Sequence, residues 1–240
     1  MVPVPYAIPP GTAEGPGSDS EDSIMNLKSL AVRLALVAST LVMLAPAAGA
    51  GPFPEWGVKG GLSIANMQGG LEGPDHILSF GAGAYVRFGL PHGFGIQPEV
   101  LYVVKGVSYG EVVDTDASGT VVGTSEALIA IDYVEVPTLL RWSPPTAGLV
   151  HPSFVLGPAF SFRTRSRFKV TGHTNLTVDI DQIKNTDVGF AFGGGLSLGP
   201  GRGRINVEAR YTAGLTDVTD RTYADKSTNR DLLLMVGVAF

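Results

Sequence analysis

The chain has 240 residues with 32 Gly, 17 Pro, 44% hydrophobic and only 16% charged residues, which argues against both an acidic disordered chain and a helical bundle. A formal charge of -5 and a pI near 5.3 leave no basic stripe for displacing counterions from nucleic acid. The absence of cysteine excludes a disulfide scaffold, a Cys-based zinc site and a lipobox.

Residues 25–50, MNLKSLAVRLALVASTLVMLAPAAGA, read as a secretory signal peptide. Lys28 and Arg33 supply the positive n-region, Leu34 to Ala45 the apolar h-region, and Ala48-Gly49-Ala50 a small-x-small cleavage site. The apolar run falls short of the roughly 20 residues that a membrane-spanning helix needs. Residues 1–24 are rich in Pro, Gly and acidic residues and make a poor n-region, so they are expected to be unstructured or an upstream extension, with Met25 as initiator. The remaining domain, 51–240, is long enough for a single all-β barrel.

From Trp56 to Phe240 the dominant pattern has period two, the mark of strands with two unlike faces. Eight runs are expected, near 56–66, 77–90, 94–107, 128–142, 152–167, 187–198, 203–216 and 231–240, each with about the 9–11 residues of a tilted transmembrane strand. Turn-forming links at Pro91-His92-Gly93, Ser143 to His151 and Gly199 to Arg202 alternate with longer polar connections near 67–76, 108–127, 168–186 and 217–230. Such alternation is how outer-membrane barrels place tight turns on the periplasmic rim and longer loops outside. The predicted fold class is therefore all-β, an eight-stranded antiparallel up-and-down transmembrane barrel.

The two faces carry different chemistry. Leu232, Leu234, Val236, Val238 and Phe240 share one face of the last run, and Leu78, Phe80, Val86 and Phe88 one face of the second. The opposite face gathers Lys59, Arg87, Gln97, Glu99, Lys105, Glu135, Arg141, Arg163, Arg165, Glu208 and Arg210. An apolar exterior around a polar interior fits a membrane barrel; a soluble sandwich or lipocalin-like barrel would reverse the faces. Since an eight-stranded interior is only wide enough for side chains to fill, Lys59, Arg87, Gln97, Glu99, Lys105, Glu135, Arg141, Glu208 and Arg210 are expected to form a packed lumen charge network instead of a channel lining.

The segments WGVKGGLSIANM, FGIQPEVLYVVKG, YVEVPTLLRW, FVLGPAFSF, VGFAFGGGLSLG and VEARYTAGLTDV, in that order and spacing, resemble the PorT-like small outer-membrane barrels, often called simply porin family. The resemblance covers Trp56 to Phe240 and implies location and architecture more than an activity. Phe240 resembles the C-terminal aromatic that outer-membrane assembly machinery recognises. The implied partners are outer-membrane lipid, that machinery, and an extracellular or periplasmic protein; a monomer without nucleic acid is expected.

Catalytic and cofactor motifs are weak. His76, His92, His151 and His173 fall at turns or loop edges, away from an acid that could orient them. The run Asp114 to Gly119 begins like a calcium loop, but its twelfth position is Ser125 and the nearest acid is Glu126; Asp179 and Asp181 read as solvated loop acids. Gly193-Gly194-Gly195 and GPGRGR near residue 200 precede no helix and no G-K-[ST], so no phosphate-binding loop is built and no cofactor is expected. The expected role is a non-enzymatic barrel with structural or loop-mediated binding; a narrow passive pore and a periplasm-facing accessory in secretion or assembly remain alternatives. N-terminal sequencing of envelope-purified protein is expected to return Gly51 as the first residue, and recovery of residues 1–24 would overturn the start and cleavage sites together.

Overall fold

The computed structural model describes residues 54–69, 75–115, 118–173, 175–180, 183–199, 204–219 and 226–240, so the expected upstream extension (1–24), signal peptide (25–50) and cleavage site lie outside the described residues. The strands are β1 (Glu55–Gly69), β2 (Ile77–Gly89), β3 (Phe94–Thr115), β4 (Val121–Trp142), β5 (Val150–Gly172), β6 (Leu176–Asp179), β7 (Thr186–Leu198), β8 (Arg204–Gly214) and β9 (Ser227–Ala239). Each neighbour pair is antiparallel, and the order β4-β3-β2-β1-β9-β8-β7-β5, closed by β4–β5 pairing, makes a ring of eight with β6 added beside β5. Closure leaves the spanning region without a free edge, the condition for a sheet in a hydrocarbon solvent.

Alternation decides which face meets lipid. Leu78 and Val236 are 70% and 56% exposed, whereas Glu99, Lys105 and Arg210 are at 2% or less. Trp56 stacks on Phe240 with ring centroids 4.7 Å apart, and Trp142 on Phe154 at 5.9 Å, forming an aromatic girdle at the rim of the short turns. A second set, with Phe80 against Tyr102 and Phe192 against Tyr211, sits higher on the wall. About eight residues of tilted strand separate the girdles, or roughly 20 Å, close to the height of the apolar band in such barrels.

Register makes room inside. Lys59 pairs across the wall with Gly83 on one side and Gly237 on the other, Tyr85 faces Gly57, and Arg210 and Glu208 face Gly193 and Gly195. A Cβ at Gly193 would lie 2.3 Å from the Ala209 carbonyl oxygen, so the triple glycine serves close strand approach and not phosphate binding.

The upper half departs from the sequence reading. The predicted loop 108–127 is largely a hairpin, because β3 runs on to Thr115 and β4 begins at Val121. The predicted loop 168–186 contains the end of β5 and the strand β6. Both extensions leave the apolar band, so they need no lipid face and lose the alternation that marks the other strands. A bulge at Ser108/Gly110, with Gly110 at φ 75, further breaks the period. The β2–β3 turn is a 3₁₀ turn, Pro91–Gly93.

Val236→Arg is expected to block insertion into bilayers, since a charge on the lipid face at mid-membrane costs about 2–4 kcal/mol. The comparison is Val236→Leu, because a Cβ at the neighbouring Gly237 would lie 2.5 Å from the Val58 carbonyl oxygen. Folding yields into vesicles measure the difference, and equal yields for Arg and Leu would reverse the inside and outside assignment.

Candidate functional site

Inward alternation on β1, β3 and β8 brings Lys59, Glu99, Glu208 and Arg210 to one level of the lumen. The Arg210 guanidinium donates to both Glu99 oxygens at 2.8 and 2.9 Å and also to Glu208. Lys59 donates to Glu99 at 2.8 Å and to Glu208 at 3.4 Å. The Gln97 amide donates to Glu99 at 2.6 Å, and Arg87 donates to the Gln97 oxygen at 3.0 Å. Two cations thus face two carboxylates, which is the condition under which charges tolerate removal from water.

Above this layer Leu101, Val103, Leu233 and Met235 form an apolar layer. Higher still, Lys105 donates to Glu135, which also accepts from the Ser161 hydroxyl at 3.1 Å. Of the nine residues predicted for the network, Lys59, Gln97, Glu99, Glu208 and Arg210 meet in one cluster and Arg87 joins through Gln97. Lys105 and Glu135 form a separate pair, and Arg141 touches no carboxylate among the described residues.

The sequence reading missed several partners. Ser63 donates to Asp231 at 2.6 Å, and Asn229 donates to Asp187 at 2.8 Å and lies 3.3 Å from the Tyr133 hydroxyl. Counting parity down from Val236 would have placed Asp231 and Asn229 inward, because β9 is regular from Ser227 onward. Arg165 requires the opposite correction. A register shift opposite Asp132/Tyr133 makes Thr164 an extra residue, so Arg165 turns outward to pair with Asp179 on β6 at 3.1 Å. Arg163 keeps its side and ties two loop groups down, donating to the Ile180 carbonyl at 3.1 Å and the Asn185 side chain at 2.7 Å.

The end bearing the long connections carries an apolar cluster over the lumen. Ile183, before β7, and Val218, after β8, are buried against Met67, Val107, Ile129, Ile131 and Tyr133. Asp217 fastens this cover by accepting from the backbone amides of Ser227 at 3.0 Å and Thr219 at 3.1 Å. Burial pushes the Asp217 carboxyl up, but those amides outweigh it and hold the group at about 2.

His151, placed by the sequence in a turn, is on β5, with Nδ1 3.0 Å from the Thr146 hydroxyl. That hydroxyl donates to the Val150 carbonyl at 3.1 Å, so the ring nitrogen faces an oxygen whose proton is already committed. His92 lies in the Pro91–Gly93 turn, His76 precedes β2 and His173 follows β5. Asp114, read as the start of a calcium loop, is on β3 and accepts from Ser125 on β4 at 2.6 Å; Asp116 and Asp181 lie outside the described residues.

The sequence model of a family described as "Outer membrane protein beta-barrel domain" matches residues 53–220. Among solved structures, the attachment invasion locus protein Ail of Yersinia pestis, in complex with the heparin analogue sucrose octasulfate, aligns at 12% identity and TM-score 0.41, covering 78% of this chain and 99% of that one. Neisserial surface protein A aligns at 14% identity and TM-score 0.42, covering 77% and 97%. OprG from Pseudomonas aeruginosa aligns at 11% identity and TM-score 0.39, covering 78% and 95%. No curated protein sequence matches the chain.

Glu99→Ala is expected to lower unfolding free energy in detergent by about 3–5 kcal/mol, because it strands Arg210 and Lys59 in the interior. Arg165→Ala removes an exposed pair, with side chains 55% and 62% accessible, and is expected to cost less than about 1 kcal/mol. Denaturant unfolding of the two variants side by side checks the contrast; similar losses would mean that Glu99 is not a keystone.

Proposed function

The chain belongs to the outer membrane protein beta-barrel domain family and is an integral protein of the bacterial outer membrane, and from this premise we propose that it works as a sealed, non-enzymatic barrel displaying a rigid sheet outside the cell. The observation that carries the reading is the continuation of β3, β4 and β5, of 22, 22 and 23 residues, well past the 9–11 residues that crossing requires. From Tyr102 in the upper girdle to the end of β3 is about 13 residues, or roughly 40 Å of strand. The extension stays hydrogen-bonded, with pairs such as Val113↔Thr124 and Ala127↔Val170, so it is a sheet and not a mobile loop. It carries exposed Val113, Val121, Val122, Leu176 and Val178, apolar side chains that no lipid covers at that height.

A sealed lumen supports the same reading over a passive pore. Glu99, Arg210, Leu101 and Leu233 are buried at successive levels, and Ile183 and Val218 cover the far end. Export by the signal peptide at 25–50, assembly through Phe240 and a monomeric state in lipid complete the proposal. The PorT-like kinship is a finer reading, under which the barrel's periplasmic end would serve secretion or assembly; the cavity at that end, described below, is what favours it as a second role.

The test has two arms. In planar bilayers the purified barrel is expected to show no stable conductance, because an interior of this size filled with side chains leaves no continuous water path. Steady single-channel steps would overturn the sealed barrel. Replacing residues 110–125 by an Asn-Gly turn is expected to leave membrane assembly intact while cells lose adhesion or envelope resistance to the extent seen on deleting the gene. Full retention of those phenotypes would remove the sheet from the function.

A further inference from the structure

The rim of the short turns, which faces the periplasm in barrels of this kind, holds a cavity of about 340 Å³. Arg87 from β2, Arg141 from β4 and Arg204 from the start of β8 line it together with Glu55 from β1. Glu55 is the carboxylate of the group, and it is already shared: one oxygen accepts from Arg87 and the other from Arg204. Three guanidinium groups therefore meet one acid.

Arg141 is the guanidinium of the three with no carboxylate in hydrogen-bond reach among the described residues. It is 6% exposed, and its hydrogen-bond partners are the hydroxyls of Ser143 and Ser197, both at 3.2 Å. The Ser197 hydroxyl in turn donates to the Asn206 side-chain oxygen at 2.5 Å, leaving its lone pair to face the guanidinium. Hydroxyls orient a cation but do not neutralise it. Elsewhere in the lumen the buried cations Lys59, Lys105 and Arg210 each face a carboxylate within hydrogen-bond reach. Glu208 and Glu55 act on Arg141 only from beyond hydrogen-bond reach, and a buried charge without a directly paired counter-charge is costly, so a place for an anion in the adjoining cavity accounts for Arg141.

We propose that this cavity is an oxyanion site that takes a phosphate group, with Arg141 as the primary ligand and the Arg87–Glu55–Arg204 bridge as its adjustable wall. Planar guanidinium forks match phosphate oxygens bidentately, which a lone ammonium does not. The volume exceeds what a single atomic ion would need, and Phe94, half-exposed toward the lipid side, forms part of the lining. The phosphate can therefore arrive free from the periplasm or on the headgroup of an inner-leaflet phospholipid; both present the same chemistry to Arg141.

The experiment uses the full barrel in a phosphate-free maltoside detergent, observed by the arginine side-chain NMR signals. Titration with inorganic phosphate is expected to shift the Arg141 signal saturably and raise the melting temperature, and Arg141→Gln is expected to weaken binding by at least about tenfold. Arg141→Lys keeps the charge without the fork and is expected to fall between. Arg165→Gln, on the exterior, is expected to bind as wild type. A second titration with a short-chain phosphatidylglycerol separates the sources: saturation by inorganic phosphate identifies a free ligand, and saturation by the lipid alone identifies a headgroup. Absence of any saturable response to both, or equal binding by wild type and Arg141→Gln, would overturn the site. If Arg141 only braces the turn, Arg141→Gln lowers the melting temperature while wild type stays indifferent to phosphate, which is also an overturning result.

Discussion

Charge pairing inside a narrow ring of eight strands is the constraint from which the rest of this barrel follows. Eight strands enclose little space beyond what side chains fill, so the ions at mid-barrel are held by counter-charges on other strands, as Lys59, Lys105 and Arg210 are. Arg210 shows how demanding that is. Its guanidinium crosses the lumen from β8 to reach both oxygens of Glu99 on β3, and Lys59 on β1 closes the circuit through Glu208. Such reach needs volume, which comes from glycine at the cross-strand positions of the large residues, as in Gly193 beside Arg210 and Gly83 beside Lys59. The high glycine content is thus a packing complement to the lumen charges, and neither makes sense without the other.

The same constraint separates the two ends. Toward the long connections, paired charge gives way to apolar cover, with Ile183 and Val218 drawn from two different loops onto Tyr133, Ile131 and Met67. Two segments from loops cannot hold that place by apolar contact alone, and Arg163 and Asp217 pin them through backbone groups. Toward the short turns the chain is tethered by the turns themselves, and the lumen opens into a cavity whose walls carry more cations than acids. Apolar burial at one end and a cation-rich cavity at the other make the two ends of the lumen chemically unlike.

Where the period of two was under selection from both lipid and lumen, the sequence made the structure readable. Leu78 to Leu90 and Leu232 to Phe240 alternate without interruption, and their inward residues could be named in advance. Legibility failed for three physical reasons. Past the upper girdle no lipid imposes an apolar face, so Ser108 to Thr115 and Val121 to Ala127 read as polar loop although they pair as strands. At a bulge, parity changes without a sequence mark: nothing in Arg163-Thr164-Arg165 announces that the first arginine faces the loops inside and the second faces β6 outside. The Arg141 environment was hidden for a third reason, since an arginine on the inward face predicts a partner, and only coordinates reveal that the partners are two serine hydroxyls.

On the role proposed for the protruding sheet, its edges decide how it binds. An open sheet offers either its edge, by adding a strand, or its face, by side-chain contact. Here the β3 edge is met just above the wall by backbone hydrogen bonds between Asp75 and Ser108, in both directions at 3.3 and 3.2 Å. The other edge is taken by β6, which pairs with Arg167 to Val170 of β5 and is clamped by Arg165 on Asp179. β6 is only four residues long, and a short edge strand is a poor template for adding a further one. Strand addition is therefore disfavoured where the sheet leaves the barrel, and recognition falls to the faces, where Val113, Val121 and Val122 stand exposed beside Glu111 and Glu126. Because three adjacent strands of the barrel run directly into this sheet, its faces keep a fixed orientation to the barrel, so the docking proposed above costs the protein side little further conformational entropy.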